Sequence, residues 1–153
     1  MPSLNDIYRA FGEASEAAQL LETELGNFLL LIGAVDMNLI ENPHISRATA
    51  LYNKINRKTL GQLLEQFKKS TESAAHLEAL LNKALSARNH LMHAFYRTHN
   101  FRRNSEEGRI KMINDLERIH ADILGAYKTI MRLTGTDLDK IILENIPTGH
   151  LPI

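Results

Sequence analysis

Hydrophobic residues between positions 4 and 35 recur at alternating steps of three and four, the spacing that keeps side chains on one face of an α-helix. The series consists of Leu4, Ile7, Phe11, Ala14, Ala18, Leu21, Leu25, Phe28, Ile32 and Val35. Ser3 and Asp6 have the spacing of a capping box, with Asp6 in the place of the usual Glu or Gln. The pattern therefore predicts one long amphipathic helix that begins directly after Ser3.

Three further segments with helical periodicity follow the Asn42-Pro43 pair. Residues 45–55 predict a short helix, and residues 59–67 predict a second main helix that ends near Ser70. The next series consists of Leu77, Leu81, Ala84, Arg88, Leu91 and Phe95. A fourth main helix is expected to start near Ser105 and to end at Gly135, with a series of Met112, Leu116, Ile119, Ile123, Ala126, Ile130 and Leu133.

The fold class predicted by these segments is all-α. No segment alternates polar and apolar residues with a period of two, so the pattern contains no candidate β-strand. Residues 1–135 are expected to form a four-helix bundle with one extra short helix. Residues 136–153 are expected to form a short helix and an extended apolar tail that packs on the bundle or on a partner. A broad apolar face that includes Leu29, Leu30 and Leu31 also favours a homodimer.

Composition places the chain among soluble single-domain proteins. It has 153 residues, of which 44% are hydrophobic and 24% are charged. The absence of cysteine excludes disulfides, thiolate metal sites and cysteine nucleophiles, and it fits a reducing compartment. The longest uninterrupted apolar run, residues 28–35, is far shorter than the roughly 20 residues of a membrane span. We therefore expect a cytoplasmic protein without a membrane segment.

Charge is segregated along the chain, although the formal net charge is zero. Residues 1–41 contain seven acidic residues and a single basic residue, Arg9. Residues 79–105 contain no acidic residue, three histidines and five basic residues, namely Lys83, Arg88, Arg97, Arg102 and Arg103. Such a basic segment either binds phosphate groups or forms a solvated face that complements the acidic first helix within the bundle.

Arg88 occupies a position of the third series where an apolar side chain is expected. An unpaired guanidinium is costly to bury, so Arg88 needs an anionic or hydrogen-bonding partner. One alternative is an ion pair with an acid of another helix, such as Glu22 or Glu24. The other is a phosphate, which the planar guanidinium binds through two parallel hydrogen bonds. On a helix, Asn89 and His93 lie about 40° apart, and Arg88 lies about 140° from His93.

These three residues resemble the motif of helical HEPN domains, many of which are bacterial toxins or antiphage ribonucleases. The motif has an arginine, a polar residue and a histidine four to six residues after the arginine, as in Arg88, Asn89 and His93. Its place on the third long helix and the aromatic residues that follow agree with the resemblance, and residues 59–63 also resemble a segment of related bundles. The resemblance implies a toxin- or defence-related endoribonuclease that needs no metal and no cofactor. It also implies two protomers whose motifs line one cleft.

The resemblance assigns a catalytic role to each motif residue. His93 would move a proton to or from the ribose 2′-hydroxyl or the leaving oxygen, because histidine changes charge near neutral pH. Arg88 would stabilise the phosphorane-like charge, and Asn89 would orient His93 or bind the phosphate. The expected RNA-binding residues are Lys83, Tyr96, Arg97, Arg102 and Arg103, with Phe101 as a further stacking candidate.

One departure from the family concerns control of the toxin. In a subset of these toxins, a tyrosine two residues after the histidine is adenylylated by a partner enzyme. Here Phe95 occupies that position and Tyr96 follows it. Control by that route is therefore not expected, although another antitoxin or operon partner remains compatible with the sequence.

The sequence is also compatible with functions other than RNA cleavage. The chain could be a noncatalytic helical interaction or regulatory module in which the motif residues hold the third helix to its neighbours. An internally paired Arg88 and a covered His93 would favour that alternative. Glu117 and His120 have the spacing of half a di-iron site, but the sequence has no second copy. Zinc would need His90 and His93 with a third ligand such as His120, and no metal site is predicted.

Overall fold

The computed structural model describes residues 1–70, 75–141 and 148–149. Within these residues the secondary structure is helical and contains no β-strand, so the all-α prediction is confirmed. The α-helices are α1 (Leu4–Asp36), α2 (Ile45–Asn56), α3 (Leu60–Ser70), α4 (Ala75–His93), α5 (Phe95–His99) and α6 (Glu106–Leu133). Two 3-10 segments, Asn100–Asn104 and Leu138–Lys140, precede and follow α6.

The starts of α1 and α6 lie where the sequence predicts them, because side chains satisfy the free backbone amides there. The Asp6 amide donates to Ser3 Oγ at 3.2 Å, and the Ser3 amide donates to Asp6 Oδ2 at 2.7 Å. This pair is a complete capping box. At α6, the Gly108 amide donates to Ser105 Oγ at 3.1 Å. These two caps fix where the two longest helices begin.

The third predicted helix is two helices in the structure. The chain leaves helical geometry at Ala94, whose φ and ψ are −130° and −18°, and α5 starts at Phe95. Phe95 still reaches the core, where it is 1% exposed. The expectation of one continuous helix through Phe95 is therefore wrong. A buried position at helical spacing does not require an unbroken backbone.

The core lies between α1, α3, α4 and α6, and most positions of the predicted series are buried in it. The largest fully buried side chains include Leu21, Leu25, Leu64, Phe67, Leu81 and Met112. The ends of the α1 series lie outside the core, since Leu4 is 38% and Val35 is 57% exposed. Among the three leucines expected on a dimer face, Leu29 is buried and Leu31 is exposed.

The segment after α6 folds back on that helix through ion pairs. Asp139 accepts from Lys128 Nζ at 2.7 Å and from Arg132 Nη2 at 2.8 Å. These contacts hold Leu138–Lys140 against the last turns of α6. Much of the predicted apolar tail, residues 142–147 and 150–153, lies outside the described residues.

Helix α1 is also long and apolar enough to cross a membrane, with a mean hydropathy of 1.2 in its most apolar window among the described residues. The core helix of a soluble bundle meets the same criterion. In this fold α1 packs against α2, α3, α4 and α6 and buries eight of its residues.

Candidate functional site

The three motif residues lie in the last two turns of α4, and Arg88 faces α1. Arg88 Nη1 donates to Asn89 Oδ1 at 3.2 Å, so the arginine and the amide form one unit. Arg88 Nη2 lies 3.8 Å from Glu22 Oε2 on α1. The side chains of Arg88 and Glu22 are 23% and 31% exposed. Arg88 therefore has a carboxylate partner on another helix, as the interaction-module alternative expects. The distance between the two charged groups is long for an ion pair, and both side chains are partly exposed.

His93 is the last residue of α4, and its side chain is exposed. Its ring has no hydrogen-bond partner among the described residues, while its backbone oxygen accepts from Arg97 Nη2 at 2.7 Å. Asn89, one turn earlier, is exposed as well. The two criteria for function thus give different answers, since Arg88 is internally paired and His93 is uncovered.

A cavity of about 390 Å³ is bordered by Glu22 and lies between α1, α2 and the α2–α3 connection. Its polar lining side chains are Glu22, Thr23, Asn27, Tyr52, Asn56 and Lys58. The carboxylate that pairs with Arg88 therefore also borders a cavity with several hydrogen-bonding groups. A cationic ligand in that cavity would compete with Arg88 for Glu22.

The predicted RNA-binding arginines lie near the C-terminal end of α4, where each has a partner within the chain. Arg97 donates to the His93 backbone oxygen, Arg102 Nη1 lies 3.1 Å from His99 Nδ1, and Arg103 Nη2 donates to the Tyr8 hydroxyl at 2.9 Å. All three residues remain exposed. This end of the molecule therefore presents a cluster of guanidinium groups around the end of α4.

Aromatic side chains accompany these arginines. Tyr96 is 42% exposed and packs against Phe11 at a ring-centroid distance of 5.4 Å. Burial raises the pKa of the Tyr96 hydroxyl, and the neighbouring Tyr8 raises it further. Phe101 is 77% exposed beside Arg102 and Arg103. Exposed aromatic rings among arginines are typical of surfaces that bind single-stranded nucleic acid, where bases stack on the rings.

Lys83 does not belong to this cluster. It lies ten residues before His93 on α4, about 15 Å along the helix axis. Its Nζ forms an ion pair with Asp122 of α6 at 2.8 Å. The structure thus brings together four of the five predicted RNA-binding residues and places Lys83 elsewhere on the surface.

A second constellation, which the sequence did not predict, lies between α4, α5 and α6. His99 Nε2 and His90 Nε2 lie 2.9 and 3.2 Å from the same oxygen, Oδ2 of Asp115. Arg118 donates to the other oxygen, Oδ1. Burial alone would raise the pKa of the Asp115 carboxyl, but hydrogen bonds from His99, Arg118 and His90 hold it below its ordinary value.

The residues of this constellation differ from the zinc ligands that the sequence offered, which were His90 and His93 with a third ligand such as His120. Among the described residues, the group whose ligand atoms converge is His90, His99 and Asp115, and neither His93 nor His120 belongs to it. His99 is 3% exposed, and its ring packs on the Phe95 ring at a centroid distance of 4.5 Å. Its burial depends on the break at Ala94, and no periodicity in the sequence reports that break.

Comparison with known proteins gives no further assignment: no family model, no curated protein and no solved structure matches the chain. The resemblance to HEPN domains stays a prediction from the sequence of Arg88, Asn89 and His93, all on α4.

Proposed function

We propose that this protein is a HEPN-type, metal-independent endoribonuclease with Arg88, Asn89 and His93 as its catalytic residues. The observation that carries the proposal is the exposed His93 imidazole, which lies one turn from an Asn89 amide engaged by Arg88. The proposal includes a four-helix bundle arrangement, a cytoplasmic location, and a toxin or defence role with an antitoxin or operon partner.

The chemistry assigned to the motif is transfer of the RNA phosphate to the adjacent 2′-hydroxyl. The 2′-oxygen forms a bond to phosphorus, the bond to the 5′-oxygen breaks, and the products are a 2′,3′-cyclic phosphate and a 5′-hydroxyl. His93 either removes the proton from the 2′-hydroxyl or delivers one to the leaving oxygen. Asn89 accepts from Arg88 through Oδ1, so its NH₂ group is available to donate to the phosphate.

Both proton transfers need a group, and the single imidazole of each motif, His93, supplies one of them at a time. A homodimer that pairs the two motifs supplies the second. Met92 and Tyr96 flank His93 and are 49% and 42% exposed, so they offer an apolar surface that a second copy would cover. The arginines beyond α4 would then bind RNA phosphates on either side of the paired motifs.

Digestion of RNA in the presence of a chelator tests the proposal. Purified protein is incubated with a labelled single-stranded RNA and with DNA of the same sequence. We expect cleavage of the RNA, cyclic phosphate ends and no cleavage of the DNA, because DNA lacks the 2′-hydroxyl. An intact RNA at high protein concentration, or equal cleavage of the DNA, would contradict the proposed chemistry.

The second candidate, a noncatalytic interaction module, is favoured by the Arg88–Glu22 ion pair. A pair that only joins α4 to α1 leaves no role for phosphate at Arg88. The two candidates differ in what happens when Glu22 is neutralised. In a nuclease, the carboxylate competes with the phosphate for the guanidinium, whereas in a module it does not.

The substitution Glu22→Gln is therefore expected to tighten RNA binding and to keep cleavage at or above the wild-type rate. The free energy of unfolding should fall by no more than about 1 kcal/mol, as for other solvent-accessible ion pairs. Glu24→Gln is the matched control, since it removes the same charge from α1 at a side chain that accepts from Thr134 at 3.2 Å. If both variants bind RNA as the wild type does and Glu22→Gln is only less stable, the module is favoured.

A further inference from the structure

The constellation formed by His90, His99 and Asp115 joins three elements at one point. His90 comes from α4, His99 ends α5, and Asp115 lies in α6. One ligand atom of each residue lies within 4.8 Å of those of the other two. We propose that these residues form a binding site for a divalent transition-metal ion of the zinc class, independent of the proposed RNA chemistry.

The distances in the cluster are close to those that a tetrahedral zinc ion requires. With zinc–nitrogen and zinc–oxygen bonds of about 2.0–2.2 Å, neighbouring ligand atoms lie about 3.3 Å apart. The two imidazole nitrogens are 3.2 and 2.9 Å from Asp115 Oδ2. The two distances between an imidazole nitrogen and Asp115 Oδ2 therefore need to lengthen by only a few tenths of an ångström to admit the ion. His90 is partly exposed and can rotate to complete the site.

The donor set determines the kind of ion. Two imidazole nitrogens and one carboxylate oxygen suit zinc and neighbouring first-row ions, whereas magnesium and calcium prefer oxygen ligands. Three protein ligands leave a fourth position for water. His90 and Arg118 also line a solvent-accessible cavity of about 260 Å³, together with Ser86, Asp122 and Lys83, whose ammonium is paired with Asp122. This cavity provides an entry path for the ion and room for the water.

The residues around the three ligands already hold them in place. Arg118 donates to Asp115 Oδ1, the oxygen that the ion does not use, and fixes the orientation of the carboxylate. His99 is buried and packs against the Phe95 ring. Ligand orientation by such outer contacts is a general requirement of metal sites.

Arg102 opposes the ion because it fixes the proton of the His99 ring. A guanidinium only donates, so its contact with His99 Nδ1 places the ring proton on Nε2, where it faces Asp115. An ion bound at Nε2 requires that proton to move to Nδ1, and Arg102 must then release the ring. Because Arg102 is exposed, it can turn away into solvent. Binding of the ion should therefore be tighter without this arginine.

The test is a calorimetric titration of Zn²⁺ into untagged protein that has been stripped with chelator. We expect one equivalent per chain and a raised melting temperature, because the ion links α4, α5 and α6. Co²⁺ in the same site should give the intense visible absorption of tetrahedral cobalt rather than the weak absorption of the hydrated ion.

Variants identify the ligands. His90→Ala should weaken Zn²⁺ binding by at least about a hundredfold, since loss of even an outer-shell partner costs 10- to 100-fold. Arg102→Gln should bind about tenfold more tightly by the same measure, because an amide oxygen can accept from Nδ1. The controls His93→Ala and His120→Ala should bind as the wild type does.

Two results would overturn the site. One is the absence of saturable Zn²⁺ binding by the wild-type protein under these conditions. The other is wild-type affinity in His90→Ala, which would place the ion elsewhere, and loss of affinity in either control would show where. Because His90 is partly exposed, His90→Ala should remain folded, and circular dichroism of the metal-free variant checks this directly.

Discussion

RNA cleavage by His93→Ala is expected to fall by about 10² to 10⁴, the range contributed by a positioned general acid or base. The imidazole is exposed and its ring has no hydrogen-bond partner among the described residues. Its removal should therefore change the free energy of unfolding by no more than about 0.5 kcal/mol. The measurement is the initial rate of cleavage of a labelled RNA, compared with thermal unfolding of the same preparation.

His76→Ala is the matched control, because His76 is a second exposed histidine on α4, far from the motif. It should cleave RNA at the wild-type rate. Arg88→Lys complements the pair, since lysine keeps the charge but cannot offer two parallel hydrogen bonds to a phosphate. Equal cleavage by the wild type, His93→Ala and Arg88→Lys would remove the motif from the mechanism and leave the interaction module as the better candidate.

Gly108→Ala is expected to destabilise the protein by about 3 kcal/mol, at the upper end of the usual cost of overpacking. A Cβ atom at this position would lie 2.0 Å from the Arg102 carbonyl oxygen and 2.7 Å from the Arg102 Cα. The obstacle is backbone, so no side-chain rotation can relieve it. Either the 3-10 segment Asn100–Asn104 moves away from α6, or the first turn of α6 does.

The control for this substitution is Gly125→Ala in the same helix. No heavy atom lies within 4 Å of a Cβ at position 125, and alanine is the better helix former by about 1 kcal/mol. Denaturant unfolding should therefore show Gly125→Ala at or above wild-type stability and Gly108→Ala far below it. Similar stabilities for the two variants would mean that the 3-10 segment does not lie against α6 in solution.

Local signals in the sequence were sufficient for the starts of α1 and α6. Ser3, Asp6 and Ser105 act on amides three residues away, so their effect needs no tertiary information. The break after His93 has no such local signal. Phe95 continues the periodicity of α4 and is buried as expected, although the backbone leaves helical geometry at Ala94.

The candidate site was predictable only where local spacing along one helix determines it. Arg88, Asn89 and His93 are neighbours on one helix, so their spacing in the sequence determines their relative placement. The partner of Arg88 depends on how α1 and α4 pack, and the sequence allowed Glu22 or Glu24, of which the structure selects Glu22. The cluster of His90, His99 and Asp115 depends on three elements at once, and no spacing along the chain encodes it.

The length of α1 has a consequence for how the chain comes apart. Its 33 residues extend about 50 Å. Helices α2, α3, α4 and α6 all contact it, and its buried residues run from Ile7 to Leu29 along the core. Loss of α1 would remove one wall from every part of the core, so no fragment should survive as an intermediate. The amide protons in the buried part of α1 should then be among the most slowly exchanging, since they are released only when the whole molecule unfolds cooperatively.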